Sequence, residues 1–409
     1  MILSRSFDPA ELDRVVLGRA ESQFHPDIAQ RWSDLQHAAG GRRVLVVGGA
    51  GTIGSATTAL LSRLGPAALH VVDQSENYLA ELVRELRGRP EGLAVTDFRT
   101  LPLDYGAPVM GRFLEDAEPY DLVLNFAALK HVRSEKDTYS LLQMLDTNVV
   151  RHARFKHWLQ RHGHAARYFA VSTDKAANPT SLMGASKRLM EDVAFDMHVP
   201  ADGLVSSARF ANVAFSNGSL LQGFLYRLNK QQPLAAPRDT RRYFVSQEES
   251  GEICTLSALL GQAGHVLFPR LDPETQLQPL QQVAERVLEY CGLRPEAFET
   301  ESDARRALPR LAAEKRWPLL LTPLDTSGEK PYEEFVGTDE DVVESGLETL
   351  GAVRHVPSRA IGDGVIDLLA RATAAESGTL DKRSIVDAIQ SVIPGFSHRE
   401  TGKNLDERL

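Results

Sequence analysis

From about residue 42 the chain alternates short apolar runs with longer amphipathic stretches. The apolar runs are Val44–Val47, Leu69–Val72, Leu122–Leu124, Tyr168–Val171 and Leu204–Ala208. A strand covered on both faces has no reason to alternate polar with apolar residues, so continuous runs of this length suit buried parallel strands. The stretches between them are long enough for helices, and strand–helix–strand alternation implies right-handed crossovers. The pattern predicts an α/β fold over residues 42–212, a Rossmann-type doubly wound parallel sheet.

The flanks read differently. Residues 1–41 are expected to form a polar helical extension, with Asp8 as a candidate N-cap and Gly40-Gly41 as its close. Beyond residue 212 the alternation weakens, and Gly and Pro punctuate Ser216–Gly223 and Gln232–Pro237. Helical periodicity returns near 248–262 and 278–291. Residues 213–360 are therefore expected to form a smaller mixed α/β substrate region, partly interleaved with the sheet domain. Residues 361–409 read as a helical tail, amphipathic over Asp381–Ile393 and polar after it. No repeat or low-complexity tract is present.

Composition narrows the class. The chain has 409 residues, 43% hydrophobic and 25% charged, enough for a sizeable core. A net charge of −9 argues against a general nucleic-acid-binding face but leaves room for a local basic pocket. Cys254 and Cys291 lack metal-ligand or redox spacing, so free thiols and no metal centre are expected, in keeping with a reducing cytoplasm. The N-terminal residues lack the apolar core of a signal peptide, and no apolar run reaches the length of a membrane span. The expectation is a cytoplasmic protein without a membrane segment.

Candidate chemistry begins at "VVGGAGTIGSATTALL". Gly48, Gly51 and Gly54 follow the first strand directly and lead into a helix. Glycine is required there by a tight turn, by close approach of a pyrophosphate and by close helix–strand packing. The helix N-terminus, opened by Thr52 and Ile53, offers free N–H groups to phosphate. The second strand ends in "VVDQS". Asp73 lies where a carboxylate accepts from adenosine ribose hydroxyls, with Ser75 beside it, and the same charge would repel a 2′-phosphate. NAD is expected rather than NADP. Asp104 and Tyr105 follow a third strand, as an adenine contact or as a plain turn. Ala127 and Ala128 end the fourth strand and would let the cofactor lie against the backbone. Lys130 and His131 follow at the carboxyl edge of the sheet, where open α/β folds bind ligands; they are substrate contacts or merely a solvated pair.

The fifth strand releases "STDKAANPTSLMGASKR" at the same edge. Met183 and Lys187 stand four apart on one helical face. Nicotinamide-dependent sugar enzymes usually carry Tyr four residues before this Lys, as a base whose phenol is made more acidic by the ammonium. Met cannot titrate, and it reads equally as a packed core residue. Asp174 and Lys175, side by side at the strand end, offer an acid and an amine in its place.

These pieces carry a resemblance. "GGAGTIGS", "AALKHV", "STDKAANPTSLMGASKR", "ARFANVAFSNGSLLQGF", "TRRYFVSQEESGEI" and "SGEKPYEEF" run from residue 48 to about 335 in the order seen in extended short-chain dehydrogenase/reductases. They are most similar to the nucleotide-sugar 4,6-dehydratases of bacterial polysaccharide and nonulosonic-acid biosynthesis. Met183 resembles the branch with Met in place of Tyr, many of whose members carry an N-terminal membrane domain where this chain has polar residues. The whole looks most like the N-acetylglucosamine dehydratases of legionaminic-acid pathways, which are associated with a GDP-sugar; UDP and GDP both stay open.

The resemblance implies oxidation at C4 of the sugar by NAD, loss of water across C5–C6 and return of hydride to C6. It implies Lys175 as the C5 base, Asp174 as the acid at C6, Thr173 as a partner of the C4 oxygen and Lys187 as a ribose ligand. The acceptor of the C4 proton is then Asp174 or a water ordered by Thr173. Asn212, Arg242 and Glu329 become candidate contacts to the substrate diphosphate and nucleotide, with Arg241 a rival to Arg242 and Lys330 beside Glu329. A homo-oligomer is expected at the family level. Two other readings share the fold: a C4 epimerase or reductase on a nucleotide sugar, and an NAD-binding sensor without catalysis.

Overall fold

The computed structural model describes residues 8–130, 135–196, 203–325, 328–356, 364–374, 382–393 and 395–398. Its centre is a nine-stranded sheet. In chain order the strands are β1 (Arg43–Val47), β2 (Ala68–Val72), β3 (Asp97–Leu101), β4 (Leu122–Asn125), β5 (Arg167–Val171), β6 (Leu204–Ala208), β7 (His265–Pro269), β8 (Val342–Val343) and β9 (Leu350–Arg354). Across the sheet they run β8-β9-β7-β6-β5-β4-β1-β2-β3. All pairings from β7 through β3 are parallel, and β9 and β8 add an antiparallel edge. This is the predicted Rossmann-type α/β sheet. Every residue of β2 is buried, as its apolar run required, and β1 is buried from its second residue onward.

Strand order reverses between β1 and β4, so the crevice opens beyond the carboxyl ends of those two strands. Helices cover both faces. On one side, Leu35, Leu61, Ile253 and Leu256 pack on Val44, Val46 and Leu124. They come from helices Trp32–Ala39, Thr52–Leu61 and Gln247–Leu260. On the other, Met110, Leu114, Phe155, Leu159 and Met190 pack on Leu45, Val123 and Tyr168.

The N-terminal segment is three short helices, Pro9–Leu17, His25–Gln30 and Trp32–Ala39, rather than one. Asp8 caps the first by accepting from the Ala10 N–H. Phe24, Ile28 and Leu35 enter the sheet core, while Val16 and Leu17 enter the core of the substrate side. That side has its own three-stranded parallel sheet, Arg294–Phe298, Arg316–Thr322 and Leu234–Pro237. The Gly-containing stretch after residue 216 is helical over Leu220–Asn229, because Ser219 caps it and Gly223 lies on a side with free space. The stretch 213–360 thus supplies both this small sheet and three strands of the large one.

Two C-terminal helices, Gly364–Thr373 and Lys382–Val392, share a core with Leu141, Leu145, Leu182 and Leu189. They cover, within the chain, the flank of the helix Leu182–Asp196 that carries Met183 and Lys187. Among the described residues no helix is long and apolar enough to cross a membrane.

Candidate active site

The glycine turn is built for close approach. Gly48 has φ +69°, and a Cβ there would lie 2.7 Å from the Ala127 amide nitrogen. A Cβ on Gly54 would lie 2.3 Å from the Gly48 carbonyl oxygen. Both positions therefore exclude any side chain. Gly51 is the N-cap of helix Thr52–Leu61, and no side chain caps it, so the first amides are donors for an anion. Asp73 directly follows β2, and its carboxylate accepts from the Ala50 N–H at 3.2 Å and the Ser75 N–H at 2.9 Å. These bonds fix the carboxylate beside the turn. Ser75 also caps the helix Glu76–Gly88. Turn, helix end and carboxylate form a cradle that fits a dinucleotide.

Other expectations at this edge are redirected. The Asp104 carboxylate accepts from Arg151 and from the Gly106 N–H, which closes a turn at this edge. Tyr105 faces the core: it is 5% exposed, packs on Phe155 and donates its hydroxyl to the Thr147 carbonyl. Burial of an apolar ring outweighs any contact with the crevice there. His131 lies outside the described residues.

A cavity of about 640 Å³ opens beside the cradle. Ile53 and Ala128 line its cofactor end, and Thr173, Lys175, Met183 and Lys187 line its floor. Asn212, Arg242 and Glu329 close the far side, together with helix Leu220–Asn229. The expected contacts thus converge from β4, β5, the helix after β5 and the substrate region. Arg242 lines the cavity and Arg241 does not. The charges on its wall are Lys130, Lys175, Lys187, Arg227 and Arg242 against Glu329, a cationic pocket in an anionic protein. Such a wall suits a diphosphate.

At the end of β5, the Thr173 hydroxyl donates to Asp174 Oδ1 at 2.7 Å and Lys175 Nζ donates to the same oxygen at 2.9 Å. Asp174 is 2% exposed and sits behind the other two, not on the cavity wall. Met183 is also buried, and its N–H donates to Glu135 Oε1 at 2.8 Å. Lys187 donates to the Val171 carbonyl at 2.8 Å, and burial lowers its ammonium to about 8. Lys130 lies at the mouth with its ammonium lowered by the surrounding protein.

Two residues here escaped the sequence reading. Asn148 lies in a π-helical turn, Asp146–Val150, and is fully buried. It accepts from the Leu129 N–H at 2.8 Å and donates to the Leu129 carbonyl and to Ser186 Oγ, each at 2.9 Å. It thereby ties the segment bearing Ala128 and Lys130 to the Met183 helix; an Asn amid the apolar "MLDTNVV" was the available signal. Glu333 is the other, a buried carboxylate whose Oε1 lies 4.0 Å from Lys175 Nζ and 3.8 Å from Arg242 Nη2. Nothing local to "KPYEEF" marks it.

The sequence profile of the family described as polysaccharide biosynthesis protein matches residues 44–354, and the chain belongs to that family. Among relatives, it is 26% identical to an uncharacterized membrane protein of Methanocaldococcus jannaschii, over 76% of this chain and 84% of that one. It is 24% identical to the capsular polysaccharide biosynthesis protein CapD of Staphylococcus aureus, over 83% of this chain. The chain spans about half (53%) of that relative's length, and the same share of a Bacillus subtilis relative. A UDP-N-acetylglucosamine 4,6-dehydratase (inverting) of Campylobacter jejuni is 25% identical over 56% of this chain and 67% of that one. Two solved structures share the fold. Pen from Bacillus thuringiensis has a TM-score of 0.62 at 20% identity, covering 77% of this chain and 88% of its own. The dTDP-glucose 4,6-dehydratase DesIV of Streptomyces venezuelae has a TM-score of 0.55 at 19% identity, covering 81% and 97%.

Proposed function

We propose that the chain is an NAD-dependent nucleotide-sugar 4,6-dehydratase acting on UDP- or GDP-N-acetylglucosamine. The observation that carries this reading is the Thr173–Asp174–Lys175 hydrogen-bonded chain at the cavity floor, with Met183 at the place of a phenol. An elimination needs an acid and a base at neighbouring carbons, and an oxidation needs an acceptor for the C4 hydroxyl proton. This chain supplies all three without a tyrosine.

The cradle of Gly48, Gly51, Gly54 and Asp73 would hold NAD, with Lys187 on its nicotinamide ribose. When bound, NAD supplies a reversible two-electron acceptor for the hydrogen of C4, given back at C6. The residues then account for every proton. Thr173 Oγ1 passes its proton to Asp174 and takes the C4 hydroxyl proton, so Asp174 becomes the acid. Lys175, as the free amine, removes the C5 proton that the new ketone has acidified. The proton held on Asp174 returns to Thr173 Oγ1, whose own proton goes to the C6 oxygen, which leaves as water while the C5–C6 double bond forms. The Lys175 ammonium then returns a proton to C5. Both groups end as they began. The C4 proton has left in the water, and the product is a 4-keto-6-deoxy sugar.

Residues on the cationic wall, Arg242 foremost, would hold the diphosphate. Buried mostly among protein groups, these charges act at a lower effective dielectric than in water and hold it more firmly.

The test is mass spectrometry of purified protein incubated separately with UDP- and GDP-N-acetylglucosamine, without added cofactor. Loss of one water from either sugar supports the reading and names the nucleotide. An unchanged mass with both, persisting after NAD is added, sinks it. An altered C4 configuration at unchanged mass would identify an epimerase.

A further inference from the structure

The segment 328–338 is strapped over the loop that follows β5. Thr180 Oγ1 donates to the Gly328 carbonyl at 3.1 Å, Asn178 Nδ2 to Glu334 Oε2 at 3.0 Å, and the Thr338 N–H to Asn178 Oδ1 at 3.0 Å. Lys330 donates to the Asn178 carbonyl, and Arg242 to the Lys330 and Pro331 carbonyls. The strap turns Phe335 into the sheet core and Glu333 toward Lys175. Glu333 is 6% exposed, and among the described residues its Oε2 has no hydrogen-bond partner, although Lys330 Nζ stands 3.8 Å away. The groups facing its carboxylate are Lys175, Arg242, Lys330 and Asp174.

Lys175 poses a problem that this placement solves. An ammonium bonded to Asp174 at 2.9 Å has no lone pair and cannot take a proton from carbon. It must first shed one, and Asp174, its bonded neighbour, is reserved for the C4 hydroxyl proton, which leaves Glu333 as the other carboxylate in reach. We propose that Glu333 is a positioning residue that stores this proton, so that Lys175 stands as the free amine when the C5 hydrogen is presented. The inference rests on the dehydratase reading for the task Lys175 performs.

The transfer balances without a co-reactant: an Nζ–H bond of Lys175 breaks, an O–H bond of Glu333 forms, and one positive and one negative charge vanish together. The 4.0 Å gap closes with a shift of about 1 Å or with one bridging water. Burial, with Asp174 nearby, raises the Glu333 carboxyl above its usual range, which favours its protonated form.

Storage inside the cluster has a signature. The pairs ammonium–carboxylate and amine–carboxylic acid hold the same number of protons, so their ratio does not change with pH. In Glu333→Gln the one carboxylate left against the ammonium is Asp174, which holds it as its ion-pair partner, and the amine forms by losing its proton to solvent. Competitive trace acetylation of Lys175, read by peptide mass spectrometry from pH 6 to 9, tests this on the whole chain without requiring turnover. Wild type is expected to vary by less than about threefold, whereas E333Q rises by about tenfold per pH unit. Glu333→Asp, which keeps a titrating carboxyl, is expected to restore the flat profile. Parallel profiles in wild type and E333Q, or a steep rise in wild type, overturn the assignment. Because labelling is independent of the substrate, it judges Glu333 even if the water-loss assay above fails.

Discussion

Two clusters beside the Met183 helix use the same ingredients, one cation between two carboxylates, to opposite ends. Arg209 is fully buried and makes hydrogen bonds to Glu191, to Glu340 and to the Phe335 carbonyl. Glu191 also accepts from Ser172 at 2.6 Å, and the cations around it lower its carboxyl to about 2. Lys175, by contrast, holds Asp174 by one bond, reaches Glu333 only at 4.0 Å and faces the cavity. A complete set of bonds leaves no proton free to move and makes a rivet. An incomplete set beside a cavity makes a site for chemistry.

The largest effect should come from the incomplete cluster. Lys175→Ala is expected to lower dehydration by up to about four orders of magnitude, the upper end for losing a general base, and to abolish solvent-deuterium exchange at C5. The fold should survive, because the lost side chain has one hydrogen bond and a partly open setting. Normal turnover in this variant would break the contrast from one side.

Arg209→Ala tests the other side. It leaves the carboxylates of Glu191 and Glu340 buried without their main cation, although Arg188 remains near both. The expected cost is about 3–5 kcal/mol of folding stability by chemical denaturation. A cost below about 1 kcal/mol would show that the cluster is no rivet.

At the cofactor cradle, Gly54→Ala forces a Cβ to within 2.3 Å of the Gly48 carbonyl oxygen. The helix must move from its strand, at about 1–3 kcal/mol. Co-purifying NAD, measured after acid release, should fall well below the wild-type amount, whereas Arg209→Ala leaves it unchanged in the folded fraction.

How far each cluster could be read in advance follows from distance along the chain. The cradle lies within one strand–turn–helix–strand stretch, Val44 to Asp73, and its glycines declare themselves by spacing. Thr173, Lys175, Met183 and Lys187 likewise share one strand end and one helix. Glu333 and Glu340 arrive from over 100 residues away, and only the folded strap brings them in. Their neighbours "KPYEEF" and "TDEDVV" look like any solvated acidic run. Strands such as Arg294–Phe298, partly exposed, lack the continuous apolar run that betrayed β1 and β2. Helix Glu301–Ala313 contains Pro309, a residue that ordinarily argues against a helix interior. Tyr105 shows the reverse error, because a residue beside a plausible ligand contact can be claimed by the core instead.

The smallest effect concerns acids that are neither riveted nor reactive. Where the N-terminal helices dock on helix Gln247–Leu260, Glu252 is 5% exposed beside Glu248 and Glu249. Ser22 donates to it and His25 lies 3.6 Å away, but Arg19 is engaged by Glu249. Burial and the neighbouring carboxylates raise Glu252 to about 7, and Asp13 in the same patch to about 6. The folded chain therefore holds protons that the unfolded chain releases at lower pH. Stability from this patch is full below the ordinary carboxyl range, about pH 4.5, and declines as pH rises through about 7. Glu252→Gln keeps the shape and an acceptor for Ser22 but cannot ionise. It should be more stable than wild type by about 1–3 kcal/mol at pH 8, the upper figure being the full shift, and nearly indistinguishable from it at pH 4.5. Equal stabilities at both values would mean that Glu252 stays charged at no cost. This patch would then belong with the rivet rather than between the two clusters.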